Sequence, residues 1–118
     1  GKRIDFFLSL HNDETNEYLS PPLAPEFSAV GQKVFDELTH TTSFDPGRTY
    51  QPSPAKAAPT KPGRMEAPEG LFSKRPTIPS FLMEQRIAYS GKLHRWPTVD
   101  DRVEFGKALV KAIRAALA

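Results

Sequence analysis

A chain of 118 residues, 38% hydrophobic and 25% charged, has ordinary globular composition and suits one domain. With no cysteine it holds neither a disulfide framework nor a thiolate-ligated metal site. The net charge is only +2 and basic side chains are interspersed with carboxylates, which argues against a nucleic-acid partner, and no apolar run reaches the roughly 20 residues of a membrane span.

In chain order, a short basic start, Gly1-Lys2-Arg3, leads directly into Ile4-Asp5-Phe6-Phe7-Leu8-Ser9-Leu10. That apolar, aromatic run predicts a strand buried on both faces. No signal-peptide core precedes it, as in a segment taken from a longer chain. The residues from His11 to Glu17 are wholly polar and read as a loop at the strand's C-terminal end, closed by Pro21, Pro22 and Pro25. Pro25 and Glu26 suit the first turn of a helix. Phe27, Val30, Val34, Phe35 and Leu38 follow at helical spacing, so residues 26–41 form a predicted amphipathic helix. Residues 45–76 hold seven of the 12 prolines without a sustained apolar period, and read as a long irregular loop.

A second strand is predicted over residues 77–84, with Pro79 near its start. Residues 87–97 form a polar, aromatic loop containing Tyr89, His94 and Trp96. The last element is a helix that Thr98 or Asp100 caps, with Asp101 and Glu104 in its first turns. Its apolar face is read as Val103, Val110, Ile113 and Leu117, and Lys111 and Arg114 lie near its C-terminal end. Two strands and two helices supply little core for a doubly buried strand, so the chain is expected to dock onto further sequence.

His11 and Glu84 each end an apolar strand candidate, and sites in open α/β sheets lie beyond the strands' carboxyl ends. A neutral imidazole there suits a metal ion, and a neighbouring carboxylate suits proton transfer from water. The same residues also fit a plainer account, with His11 bonded to a carboxylate in its loop and Glu84 paired with Arg86.

Phe7-Leu8-Ser9-Leu10-His11 resembles the strand that delivers the third zinc ligand in the zinc metallocarboxypeptidase family. Pro79-Ser80-Phe81-Leu82-Met83-Glu84-Gln85-Arg86 resembles the strand ending in that family's catalytic glutamate, and Gly91-Lys92-Leu93, Pro97 and the helix from about Asp100 resemble its closing loop and last helix. The likeness in order and spacing covers essentially the whole chain. It implies an α/β fold, part of a mixed-sheet α/β/α domain with strands flanked by helices, of which residues 1–118 are the C-terminal portion. It also implies zinc as cofactor, a peptide or related amide as substrate, His11 as a metal ligand and Glu84 as general base. Asn12, Asp13 and Glu14 are candidates to line the pocket, and Arg86 to act as a structural partner.

The family's first two zinc ligands come from a His-x-x-Glu motif, and neither His40 nor His94 opens one. The resemblance therefore implies that the remaining ligands and the substrate-binding arginines precede this segment, in the upstream part of the same catalytic domain. The family's mobile tyrosine has no counterpart, since Pro62 stands at the corresponding spacing. The rival class is a non-catalytic protein-interaction module, or an inactive relative, built on the acidic 12–17 loop, the Pro-rich stretch and Trp96.

Overall fold

The computed structural model describes residues 2–22, 24–52 and 78–118. Among them are three strands, β1 (Phe7–Asp13), β2 (Tyr18–Leu19) and β3 (Ser80–Arg86), and two α-helices, α1 (Ser28–Thr41) and α2 (Val99–Leu117). A 3₁₀ turn over Pro25–Phe27 leads into α1. The protein is thus a small mixed α/β domain. The sheet order is β1-β3-β2, with β1 parallel and β2 antiparallel to β3.

Both helices contribute to one core. Phe81 and Met83 of β3 and Leu19 of β2 pack with Val34, Phe35 and Leu38 of α1 and with Phe105 and Leu109 of α2. Because side chains alternate along a strand, burying Phe81 and Met83 sends Leu82, Glu84 and Arg86 to the opposite face. Among the described residues the helices cover one face only. The Pro-rich stretch from residue 53 onward, and Thr77, lie outside the described residues.

Three expectations need correction. The first strand begins and ends later than the apolar run, at Phe7 and Asp13, and among the described residues it is an edge strand rather than one buried on both faces. Leu8 is half-buried and Leu10 is 60% exposed. His11, Asn12 and Asp13 stay in the ladder because β3 runs beside them, and Ile87 N–H continues it by donating to Asp13 O at 2.9 Å. An edge strand wets its outer groups, so polar residues need not end it.

The loop after His11 is also shorter than expected. Asp13 Oδ1 accepts the Thr15 and Asn16 backbone N–H groups, both at 2.9 Å, in a turn that folds the chain back into β2. The third correction concerns α2, whose buried face is Phe105, Leu109, Ala112 and Ala116, whereas Val103, Val110 and Leu117 are exposed.

Local chemistry explains where the helices stop and start. Thr42 N–H and Oγ1 both donate to Leu38 O, and Lys92 Nζ donates to Thr39 O (2.6 Å) and Phe44 O (2.7 Å), placing a cation at the negative end of α1. Gly31 lets α1 lie close to its neighbours: a Cβ there would sit 2.1 Å from the Tyr50 hydroxyl and 2.7 Å from Phe81 Cε1. That hydroxyl in turn donates to Ser20 O at 3.2 Å.

At the start of α2, Thr98 Oγ1 accepts Asp101 N–H while the Asp101 carboxylate accepts Thr98 N–H, a capping box. Arg95 grips both Asp101 oxygens. These bonds, Arg95 first and the Thr98 N–H next, hold the Asp101 carboxyl well below the usual carboxylate range. A carboxyl depressed on folding contributes stability that is present above its unfolded pKa, about 3.9, and is lost as pH falls through the folded value. Asp101→Asn is therefore expected to melt below wild type at neutral pH, with the gap closing as pH drops below about 4. A gap that thermal melts find independent of pH would show that Asp101 acts without its charge.

Candidate functional site

On the face away from the helices, one row of side chains crosses all three strands. His11 of β1 is the register partner of Glu84 in β3, and Glu84 is in turn the partner of Tyr18 in β2. Register partners on neighbouring strands project to the same side and sit about 4.8 Å apart in the hydrogen-bonding direction. The two residues singled out in the sequence thus stand side by side, with Tyr18 beyond them. They lie within the strands rather than after them, since β1 runs on to Asp13 and β3 to Arg86.

His11 is exposed, and its Nε2 lies 2.9 Å from Ser9 Oγ, two residues back on the same face. In the tautomer whose Nε2–H donates to that hydroxyl, Nδ1 keeps the ring's lone pair. Glu84 is half-buried, and its Oε2 is buried with no hydrogen-bond partner among the described residues. A buried carboxylate oxygen without a donor is costly and is rare outside functional positions. Glu84 does not pair with Arg86, whose Nε instead donates to Thr15 O at 2.8 Å. Burial, with Glu84 and then Asp13 nearby, pushes the Tyr18 phenol above its ordinary value.

The candidates that follow His11 divide by role. Asp13 is engaged in the turn, where the Asn16 and Thr15 N–H groups lower its carboxyl. Asn12 and Glu14 are exposed, and Glu14 O accepts Ala88 N–H at 3.3 Å. Arg86, with Thr15, Asn16, Glu17, Tyr18, Pro46 and Arg48, lines a cavity of about 360 Å³ next to the row. Arg48 lies 5.8 Å from the centre of the Tyr18 ring. Burial raises the Glu17 carboxyl, an effect that the Asp45 backbone, Arg86 and Arg102 oppose. A larger cavity of about 490 Å³, between the end of α1 and α2, is lined by neither His11 nor Glu84.

Sequence reasoning passed over Tyr18, Ser9 and Arg48. Glu17-Tyr18-Leu19-Ser20 shows no polar–apolar alternation, and a two-residue strand offers too short a period to register.

Against the three protein ligands of a catalytic zinc, this row supplies at most part of a set. His11 offers one ring nitrogen, and Glu84 an unpartnered carboxylate oxygen on the neighbouring strand. Among the described residues no group of three or more His, Cys, Asp or Glu side chains is arranged to hold a metal ion. Among them, too, no helix is long and apolar enough to cross a membrane. Compared with known proteins, the chain matches no family model, no curated protein and no solved structure.

Proposed function

We propose that this chain carries part of the reaction centre of a zinc-dependent hydrolase of peptide or related amide bonds, resembling the metallocarboxypeptidases, in a domain of their α/β/α kind. The observation that supports it most is the pairing of His11 with Glu84 on adjacent parallel strands, where Glu84 Oε2 is buried with no partner among the described residues. A histidine beside an unsatisfied carboxylate suits metal-assisted hydrolysis better than it suits a structural contact.

In this reading His11 would hold the metal through Nδ1, in the tautomer whose Nε2–H donates to Ser9 Oγ. Zinc, when bound, makes a water molecule easier to deprotonate and polarises the scissile carbonyl. Glu84 accepts the proton of that water at Oε2 and returns it to the leaving amine nitrogen. Parallel pairing fixes the distance between the two groups, so neither relies on a loop for its position. Catalytic zinc has three protein ligands, and the other two come from outside the described residues.

Bound zinc is the direct test. The protein as its gene encodes it is expected to carry one zinc per site, and His11→Ala to lose it while remaining folded by circular dichroism. The 118-residue chain alone is expected to bind zinc weakly, because it offers one ligand of the three. A folded His11→Ala protein with full zinc content would end the assignment of His11.

A further inference from the structure

Helix α2 carries two apolar faces, and the core uses one of them. Phe105, Leu109, Ala112 and Ala116 are buried. A second series, Val99, Val103, Gly106, Val110, Ile113 and Leu117, advances in steps of four, three, four, three and four residues. That alternation is the spacing of a coiled-coil seam, and at 1.5 Å per residue it runs about 27 Å along the helix. Val99 is 80% exposed, Val103 51%, Val110 58% and Leu117 40%, while Ile113 leans partly on the core. Scattered exposed apolar residues need no explanation, but a continuous seam marks an interaction surface.

Two further features say what covers it. The first is Gly106, near the middle of the seam. A Cβ added there would meet nothing within 4 Å, so the chain's own packing does not require glycine at a position where a helix ordinarily disfavours it. A bare backbone at that point suits the close approach of a second helix.

The second feature is symmetry. The seam reads the same in both directions about Ala108, and the charges beside it change sign along its length. On the flank away from the core, Asp100 and Glu104 lie along the first half and Lys111 and Arg114 along the second, while Arg102, on the core side, donates to Arg86 O. When two copies are turned end for end about an axis at Ala108, Val99 of one meets Leu117 of the other, and Val103 meets Ile113. Val110 enters the space over Gly106. Asp100 then faces Arg114, and Glu104 faces Lys111, each twice. Lys107, beside the axis, faces its own counterpart, but Glu104 of its own chain stands 2.7 Å from it. A parallel pairing would instead set like charges together. We infer that this face of α2 is the interface of an antiparallel, twofold dimer of this chain, a self-complementary contact in which each copy supplies the same patch. The inference is independent of the hydrolase reading.

Sedimentation velocity on the protein as its gene encodes it, over a wide range of concentration, tests it. Wild type is expected to show a reversible dimer of twice the monomer's mass. Val110→Asp, on a side chain already exposed, is expected to sediment as a monomer with its helix content intact. The charge pattern gives a second test that does not depend on burying a carboxylate. Asp100→Lys with Glu104→Lys makes the seam's flanks wholly basic, and Lys111→Glu with Arg114→Glu makes them more acidic. Each double variant alone is expected to dimerise at least about tenfold more weakly, since four attractive contacts become repulsive. Mixed, the two are expected to recover dimerisation as a heterodimer. A monomeric wild type, a dimer that survives Val110→Asp, or a mixture that forms no heterodimer would each overturn the inference.

Discussion

In the protein as its gene encodes it, Glu84→Gln is expected to lower turnover of a peptide or amide substrate by about 10²- to 10⁴-fold, the range typical of a positioned acid–base group. Gln keeps the size and reach of the side chain and removes its capacity to accept a proton. Zinc content is expected to stay at the wild-type level, because in the proposed mechanism Glu84 acts on water rather than on the metal. A merely structural Glu84 predicts another pattern, with lower stability and unchanged turnover per folded molecule. Turnover, bound zinc and melting temperature measured together on Glu84→Gln and His11→Ala separate the two. Full turnover in folded Glu84→Gln protein would remove Glu84 from the mechanism.

Phe81→Ala is expected to cost about 3–5 kcal/mol of folding stability, a large share of the roughly 5–15 kcal/mol that holds a domain of this size. Phe81 is fully buried near the start of β3, and its ring stacks on Phe6 at 5.0 Å between centroids. Its other side lies against the backbone of α1 at Gly31. One ring thus joins the strand carrying Glu84, the approach to β1 and the first helix. Removing it leaves a cavity that the clamped helix and sheet close only in part. Urea unfolding with unchanged slope would measure the loss. A cost below about 1 kcal/mol would show that the core collapses around the gap and that the stack carries little.

Much of this arrangement was legible in the sequence where the cause is local. The α2 start follows from Thr98 and Asp101, three residues apart with complementary donors and acceptors, and α1 from apolar residues at helical spacing after Pro25. What escaped depends on contacts distant in the chain. Tyr18 and Leu19 are a strand only because β3 lies beside them, and His11 to Asp13 remain extended for the same reason. The core face of α2 was misread because its buried stripe includes Ala112 and Ala116, weaker signals than the exposed valines. At the site, His11 and Glu84 stood out as polar groups at the ends of apolar runs. Their register and the isolation of Glu84 Oε2 emerge only once β1 and β3 are placed together.

The parallel pairing of β1 with β3 also bears on how the chain reaches this state. Phe7 meets Ser80 and Asp13 meets Arg86, each across 73 positions of sequence. In an unfolded chain, closing a loop of that length costs about 4 kcal/mol in entropy before any ladder bond offsets it. Helices α1 and α2 assemble from neighbours, so they are free to form early, whereas the row of His11, Glu84 and Tyr18 waits for the slowest long-range encounter. That row is then among the last parts of the molecule to form. The same logarithm makes the intervening chain cheap to extend: doubling its length adds only about 0.6 kcal/mol. The segment between the strands is therefore free to change in length over evolution while the register that sets His11 beside Glu84 stays fixed.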